Sequence, residues 1–201
     1  MTPLPRLYAI ADASFGDCVR LAEGLFAGGV RLVQLRNKKA GAGELLAQVE
    51  RVLAAAPTDT RVIVNDRVDV ALLAGAAGVH LGQTDLPPAE ARRILGPNRI
   101  IGFSTHNFEQ ATDADKLPVD YIAVGPIFAT STKENPDPVV GLSMLSEICR
   151  SVHKPVVAIG GIKLEQASDV FKAGATSVAV IRDLLDTQNL VMRCREWGGA
   201  L

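Results

Sequence analysis

Two aspartates, Asp66 and Asp85, stand just beyond short apolar runs, where carboxylates could meet if neighbouring strands end there. Two hard oxygen ligands that leave room for water and phosphate oxygens suit Mg²⁺, which rarely takes a complete set of protein ligands. Each could instead have a structural role, Asp66 as a partner of Arg67 or a helix cap, and Asp85 as a cap before the following prolines. Because basic residues accompany the pair, we expect the two carboxylates to hold Mg²⁺.

Three cations, Arg36, Lys38 and Lys133, lie in two segments that could face the same cavity. Their charge exceeds that of one carboxylate pair, so the expected occupant is an anion with several charges. A diphosphate bridged to Mg²⁺ fits this description. Any single lysine here could equally be a solvated surface charge.

Residues 121–133, YIAVGPIFATSTK, form an apolar run that changes at a Gly-Pro pair into a loop with Thr130, Thr132 and Lys133. Hydroxyls and a lysine just past the carboxyl end of a strand predict an anion site, because parallel α/β sheets and barrels keep their ligands there. A solvated turn is the alternative, since such residues are common in turns.

Neutral polar side chains follow or interrupt other apolar runs. The amides of Gln34 and Asn65 can recognise a heterocycle, although core amides bonded to backbone would look the same. His80 could be a core imidazole or a ligand contact. Ser104 and His106 do not indicate a hydrolase, because the GxSxG pattern is absent, and neither histidine has the thiolate companions of a zinc site.

The turn AIGGI, residues 158–162, would let backbone N–H groups approach an anion closely. Loops after strands seven and eight of a barrel often form a phosphate site, which here would include Gly161, Ile181 and Arg182. A plain tight turn is the alternative. Two separate anion sites would imply two phosphorylated substrates.

Eight short apolar runs could position these side chains. Their β-branched, nearly unbroken hydrophobicity is typical of strands covered on both faces, as in a parallel sheet. Helical patterns alternate with them, the weakest at 108–116, and predict one α/β domain over residues 1–201, a (β/α)₈ barrel. An open doubly wound sheet is the alternative. The runs begin at Leu7, Leu32, Arg61, Gly78, Ile100, Tyr121, Pro155 and Ser177, and the last of them, SVAVIR, covers residues 177–182.

Composition narrows the classes of partner. A net charge of −1 and a pI near 6.3 give no support for nucleic-acid binding. Cys18, Cys149 and Cys194 lie far apart and read as buried free thiols of a reducing compartment. No apolar run reaches membrane-spanning length and no signal pattern opens the chain, so we expect a cytoplasmic protein that binds small molecules.

Six segments together resemble the thiamine phosphate synthase family, in order and over nearly the whole chain. The combination of QLRxK, NDR and HLGQxD is specific. The segments are LYAIAD (7–12), QLRNK (34–38), NDRVDVALLAGAAGVHLGQTDLP (65–87), GFSTH (102–106), GPIFATSTK (125–133) and AIGGI (158–162).

The resemblance implies a homodimeric (β/α)₈ transferase that joins a pyrimidine diphosphate to a thiazole phosphate or its carboxylate, with Mg²⁺ at Asp66 and Asp85. Diphosphate would leave first, and the thiazole nitrogen would capture the resulting cation. Lys133, Arg36 and Ser104 would be catalytic. The pyrimidine diphosphate would contact Gln34, Arg36, Lys38, Asn65, His80, Ser104 and Lys133, and the thiazole phosphate Thr130, Thr132, Gly161, Ile181 and Arg182.

Two features bear on this assignment. The chain has Ile181-Arg182 where the family usually has Val-Ser near the thiazole phosphate. The related thiazole tautomerase carries His where this chain has Pro126, and it lacks the equivalents of Lys38 and Asp85, so these three residues favour the synthase. A non-catalytic barrel that binds thiazole phosphate is a further alternative.

Overall fold

The computed structural model describes residues 3–130 and 137–201 and contains eight parallel strands that close into a barrel in sequence order. The expected (β/α)₈ barrel is confirmed, and the open sheet is wrong because β1 pairs with β8, Leu7 opposite Val178. The strands are β1 Leu7–Asp12, β2 Leu32–Arg36, β3 Arg61–Asn65, β4 Gly78–Leu81, β5 Ile100–Thr105, β6 Tyr121–Val124, β7 Val156–Ile159 and β8 Ser177–Val180.

Helices follow the strands and form the outer layer. Of those in the described part of the chain, none is long and apolar enough to cross a bilayer. Short 3₁₀ turns occupy Ala13–Phe15 and Leu164–Gln166. The helices are α1 Cys18–Ala27, α2 Ala42–Ala55, α3 Val68–Leu73, α4 Pro88–Leu95, α5 Phe108–Ala114, α6 Gly141–Ser151, α7 Ala167–Lys172, α8 Arg182–Leu185 and α9 Leu190–Ala200.

The segment after β8 differs from the prediction. The sequence suggested that the strand continues through residues 181–182, but it ends at Val180. Ile181 leaves the extended conformation, with φ −116° and ψ −82°, and the one-turn helix α8 begins at Arg182. Ile181 is apolar, so in the sequence it resembles a continuation of the strand. The helix that follows has a single turn, which is too short to show helical periodicity.

Successive strand residues point to opposite sides of the barrel wall. In β1, Ala9 and Ala11 belong to the large apolar layer beneath the helices. Tyr8 and Ile10 belong to a second cluster, made almost entirely of strand residues, which fills the barrel. The interior is therefore a packed core, and ligands must bind at its rim.

Helix α9 packs beside α1, next to the strand pair that closes the barrel. Trp197 is fully buried, and its Nε1 donates to Asp183 Oδ2 of α8 at 2.8 Å. Arg193 donates to both oxygens of the same carboxylate, at 2.9 and 2.8 Å. Asp183 thus ties the last helix to the short helix after β8.

Candidate functional site

Asp66 and Asp85 come together at the carboxyl ends of β3 and β4, as the sequence predicted. Burial, together with the neighbouring carboxyl of Asp85, raises the pKa of Asp66. Lys38 Nζ lies 3.4 Å from Asp66 Oδ2 and partly offsets this effect. Two carboxyl groups and one ammonium therefore share one corner of the rim.

The structural roles considered for the two aspartates are wrong. Arg67 forms its ion pair with Asp69 instead, and neither α3 nor α4 has a side-chain cap. Asp85 Oδ2 accepts from the Gly82 amide at 2.7 Å. In the described ranges, Asp66 is the single non-glycine residue with positive φ, at +60°, a sparsely populated conformation often found at functional sites.

Arg36 has a buried partner that was not predicted from the sequence. Asp12 ends β1 in register with Arg36 at the end of β2, and their Oδ2 and Nη1 atoms lie 2.5 Å apart. Asp12 is only 2% exposed and also accepts from the amide and hydroxyl of Ser14. Polar residues at the carboxyl ends of other strands were chosen as site candidates, and the same criterion applied to β1 would have identified Asp12.

Asp12 changes the charge balance expected at the rim. The sequence predicted that cations exceed the carboxylate pair. Among described residues on this side, Arg36 and Lys38 instead face three carboxylates, Asp12, Asp66 and Asp85, so one negative charge stays uncompensated. The predicted third cation, Lys133, lies outside the described residues. This part of the rim favours a cation more than the sequence suggested.

A chain of hydrogen bonds crosses the barrel interior and ends at the rim. Gln34 Nε2 donates to the Tyr8 hydroxyl at 2.8 Å, and the hydroxyls of Tyr8 and Tyr121 lie 3.0 Å apart. His80 Nδ1 is 2.9 Å from the Tyr121 hydroxyl, and His80 Nε2 is 2.8 Å from Ser104 Oγ. Gln34 and His80 therefore fit the alternative of a core amide and a core imidazole, but the partners shown are side chains and not backbone: Tyr8 for Gln34, and Tyr121 and Ser104 for His80.

Ser104 pairs with His80 and not with His106. In the part of the chain that the structure describes, the other ring nitrogen of His80 bonds to the hydroxyl of Tyr121, where a hydrolase triad would have a carboxylate. His106 Nδ1 bonds to the Gly125 carbonyl at 2.7 Å and lies 3.4 Å from Asp137 Oδ2. Asn65 ends β3 in register with His80, which places its half-buried amide beside this pair.

The loop after β6 is bonded to the turn after β7. Phe128 N donates to the Gly160 carbonyl at 3.0 Å. Gly161 has φ +67°, and a Cβ there would lie 2.5 Å from the Ala129 carbonyl, so only glycine fits. This contact brings Thr130, the residue after Ala129, beside the glycine turn. Thr132, also predicted for this subsite, lies outside the described residues.

Ile181 and Arg182 stand at the start of α8. Ile181 packs against the cluster that fills the barrel. Arg182 Nη1 lies 3.2 Å from Asp186 Oδ2, one turn along the helix. Its guanidinium also lies 5.3 Å from the ring centre of Phe15, in the turn after β1. The Arg182 side chain is thus held at the rim, still 51% exposed.

Comparisons with known proteins agree with this geometry. The family model described as thiamine monophosphate synthase matches residues 7–184. The thiamine-phosphate synthase of Koribacter versatilis is 51% identical over 189 residues, covering 90% of each chain. That of Anaeromyxobacter dehalogenans is 46% identical over 89% of this chain and 80% of its own.

A solved structure, a thiamine phosphate pyrophosphorylase from Pyrococcus furiosus, superposes with a TM-score of 0.89 at 35% identity, covering 97% of this chain and 94% of its own. The family match spans all eight strands, including the carboxylate pair and the buried hydrogen-bond chain. On these grounds the chain belongs to the thiamine monophosphate synthase family.

Proposed function

We propose that this protein is a thiamine-phosphate synthase. It would join 4-amino-2-methyl-5-(diphosphooxymethyl)pyrimidine to thiazole phosphate or its carboxylate, and release diphosphate. The relatives that carry this name support the reaction. The observation that carries it in the structure is the Asp66–Asp85 pair beside Lys38.

The residues present fit a magnesium ion. The pKa of Asp66 is raised by burial and by Asp85, so a cation between the carboxyls would relieve an unfavourable contact. Within the described ranges no third His, Cys, Asp or Glu completes a cluster, which leaves coordination positions for water and phosphate oxygens, as Mg²⁺ prefers. Asp66 and Asp85 would hold the ion, and bound Mg²⁺ would neutralise charge on the leaving diphosphate.

The pyrimidine side of the site would work mainly through charge and position. Arg36, Lys38 and Lys133 would bind the diphosphate, whose bond to the methylene carbon breaks with both electrons leaving on oxygen. Asn65 would contact the ring, and Ser104 would contribute a hydrogen bond. Gln34 and His80, which are buried, would orient the ring through the hydrogen-bond chain that ends at Ser104.

On the other side, the thiazole nitrogen would attack the resulting methylene cation with its own lone pair, so this step needs no general base. The thiazole phosphate would lie against Thr130, Thr132, Gly161, Ile181 and Arg182. The bonding of the loop after β6 to the turn after β7 supports a shared subsite for Thr130 and Gly161.

The direct experiment measures diphosphate release and thiamine phosphate formation from both substrates with Mg²⁺. We expect both products in equal amounts, and neither when Mg²⁺ is replaced by EDTA. A tautomerase would convert the thiazole without releasing diphosphate, and a binding protein would form no product. Either outcome would reject the proposal.

We also propose a cytoplasmic homodimer that acts on small phosphorylated molecules. The three cysteines support a reducing compartment, because Cys18, Cys149 and Cys194 are all unpaired. Burial raises the pKa of each thiol to about 11, which keeps it protonated and unreactive. Size-exclusion chromatography with light scattering tests the dimer.

A further inference from the structure

We infer that the buried hydrogen-bond chain runs in one direction, from Gln34 through Tyr8, Tyr121 and His80, so that Ser104 presents its proton to the substrate. This inference deepens the proposed function and rests on it. It makes Tyr8 and Tyr121 positioning residues that act on the substrate only through Ser104.

The chain is continuous and almost completely enclosed. Its links join β2 to β1, β1 to β6, β6 to β4 and β4 to β5, with distances between 2.8 and 3.0 Å. Gln34, Tyr8, Tyr121 and His80 are each no more than 8% exposed. Water therefore has little access to replace a missing partner along the chain.

With His80 neutral, the protons in such a chain can be arranged in only two consistent ways. Each tyrosine hydroxyl carries one proton, and burial raises the pKa of both phenols well above the ordinary value, so neither is ionised. A hydroxyl that accepts from one neighbour must then donate to the other, and a neutral imidazole behaves likewise through its two nitrogens. The group at the inner end sets the direction for every link.

Gln34 is that end, and its Nε2 donates to Tyr8. Tyr8 then donates to Tyr121, and Tyr121 donates to His80 Nδ1. The imidazole carries its proton on Nε2 and donates it to Ser104 Oγ. With its oxygen occupied as an acceptor, the Ser104 hydroxyl points its own proton toward the rim.

This direction has a chemical consequence at the site. Ser104 would donate its proton to an acceptor on the substrate, such as a diphosphate oxygen or a ring nitrogen. His80 could not remove the serine proton, because the nitrogen facing Ser104 is already protonated. The pair is therefore a hydrogen-bond donor toward the ligand and not a nucleophile.

The first test is ¹⁵N NMR of the imidazoles in the full-length protein, which requires no turnover. The chain has three histidines, so His106→Gln and His153→Gln variants assign the signals. We expect His80 with its proton on Nε2 and with Nδ1 as a hydrogen-bonded acceptor. A proton on Nδ1 would overturn the inference, whereas a protein with this tautomer but no synthase activity would reject the proposed function alone.

The second test is a double-mutant cycle on kcat/KM. Tyr121→Phe removes the donor to His80 and should lower kcat/KM roughly two- to tenfold, the usual worth of a hydrogen bond between neutral groups. In a Ser104→Ala background the same change should have little further effect, because the hydrogen-bond chain then no longer reaches the substrate. Additive losses would show that Tyr121 acts by another route.

Tyr8→Phe is the matched control, because it removes one hydroxyl from the same buried cluster but leaves Tyr121 able to donate to His80. We expect a smaller loss of kcat/KM than for Tyr121→Phe, with the Nε2–H tautomer retained. An equal or larger loss from Tyr8→Phe would contradict the directional chain. Thermal unfolding of each variant verifies that it is folded, and the wild-type NMR result stands even if one variant does not fold.

Discussion

Asp66 combines a left-handed backbone, a partly buried carboxyl and an acidic neighbour. Each of these features costs stability in the protein without a bound cation. Lys38 offsets part of the cost through a partly exposed ion pair, which is a weak interaction. The local arrangement is therefore explained better by ligand binding than by folding.

Asp85→Asn should lower kcat/KM by about a hundredfold or more, because charge stabilisation of a leaving group by a metal is worth several kcal/mol. The fold should persist, and the metal-free variant should unfold at a higher temperature than wild type at neutral pH, since Asp66 loses its acidic neighbour. Asp69→Asn, on the exposed partner of Arg67, is the control and should retain activity. Near-full activity of Asp85→Asn would count against the metal assignment.

The increase in melting temperature produced by Mg²⁺ should shrink as the pH falls. The folded-state pKa of Asp66 lies above its ordinary 3.8, so the folded protein holds this proton more tightly than the unfolded chain. Its contribution to stability is complete below about 3.8 and is lost as the pH rises through the folded-state value. Protons therefore compete with Mg²⁺ in that window, and a pH-independent shift would contradict the shared site.

Asp12→Asn should affect both stability and turnover. Removing the charge from a buried carboxylate leaves Arg36 without its counter-ion, and we expect a loss of about 1–3 kcal/mol in the free energy of unfolding by urea. A fall in kcat/KM of roughly tenfold should accompany it as Arg36 loses its fixed position. Asp59→Asn, in the exposed pair with Arg31, should cost less than about 1 kcal/mol.

Among the secondary-structure elements, β5 is shaped to admit a side chain from its neighbour. A Cβ at Gly102 would lie 2.0 Å from Cζ of Tyr121 and 2.2 Å from its hydroxyl oxygen. Because Gly102 has no side chain, it leaves room for the Tyr121 ring, and this close approach explains the glycine in the strand. The packing of β5 against β6 and the position of the hydrogen-bond chain depend on the same residue.

Gly102→Ala should reduce stability by about 1–3 kcal/mol, the usual cost of overpacking, and should lower kcat/KM by displacing the Tyr121 hydroxyl. Gly43→Ala in α2 is the matched control, because its Cβ would meet nothing within 4 Å. That change should stabilise the protein by up to about 1 kcal/mol. If both variants behaved alike, the steric argument for Gly102 would be wrong.

At the level of the whole molecule, the ends of the chain meet where the barrel closes. β1 pairs with β8, and α9 lies beside α1, joined to α8 through Asp183. Because these contacts join the beginning of the chain to its end, they form only when the whole barrel is assembled.

Trp197→Ala should cost about 3–5 kcal/mol in the free energy of unfolding, as for other large buried side chains. It removes a fully buried ring and one of the donors to Asp183. Met192→Ala on the exposed face of the same helix, 48% exposed, should change stability by less than about 0.5 kcal/mol. Equal urea midpoints for the two variants would show that α9 does not contribute to closure.

The sequence predicted most of the architecture because buried parallel strands have a strong local pattern. All eight strands were found, whereas α8 was missed because a single turn has no periodicity. The carboxylate pair was predictable because both residues lie in loops that follow strands, Asp66 directly after β3 and Asp85 shortly after β4. The partnership of Tyr8 and Tyr121 was not, because these residues look like ordinary strand aromatics and are 113 positions apart. Only the closed barrel brings them together.

The backbone of Asp66 also restricts what evolution can place at that position. Glycine, asparagine and aspartate are the residues that adopt φ near +60° at least cost, so folding alone would accept all three. Magnesium chemistry would accept only aspartate. A saturation library at codon 66 should therefore return three residues when sorted for protein abundance and one when selected for growth without thiamine.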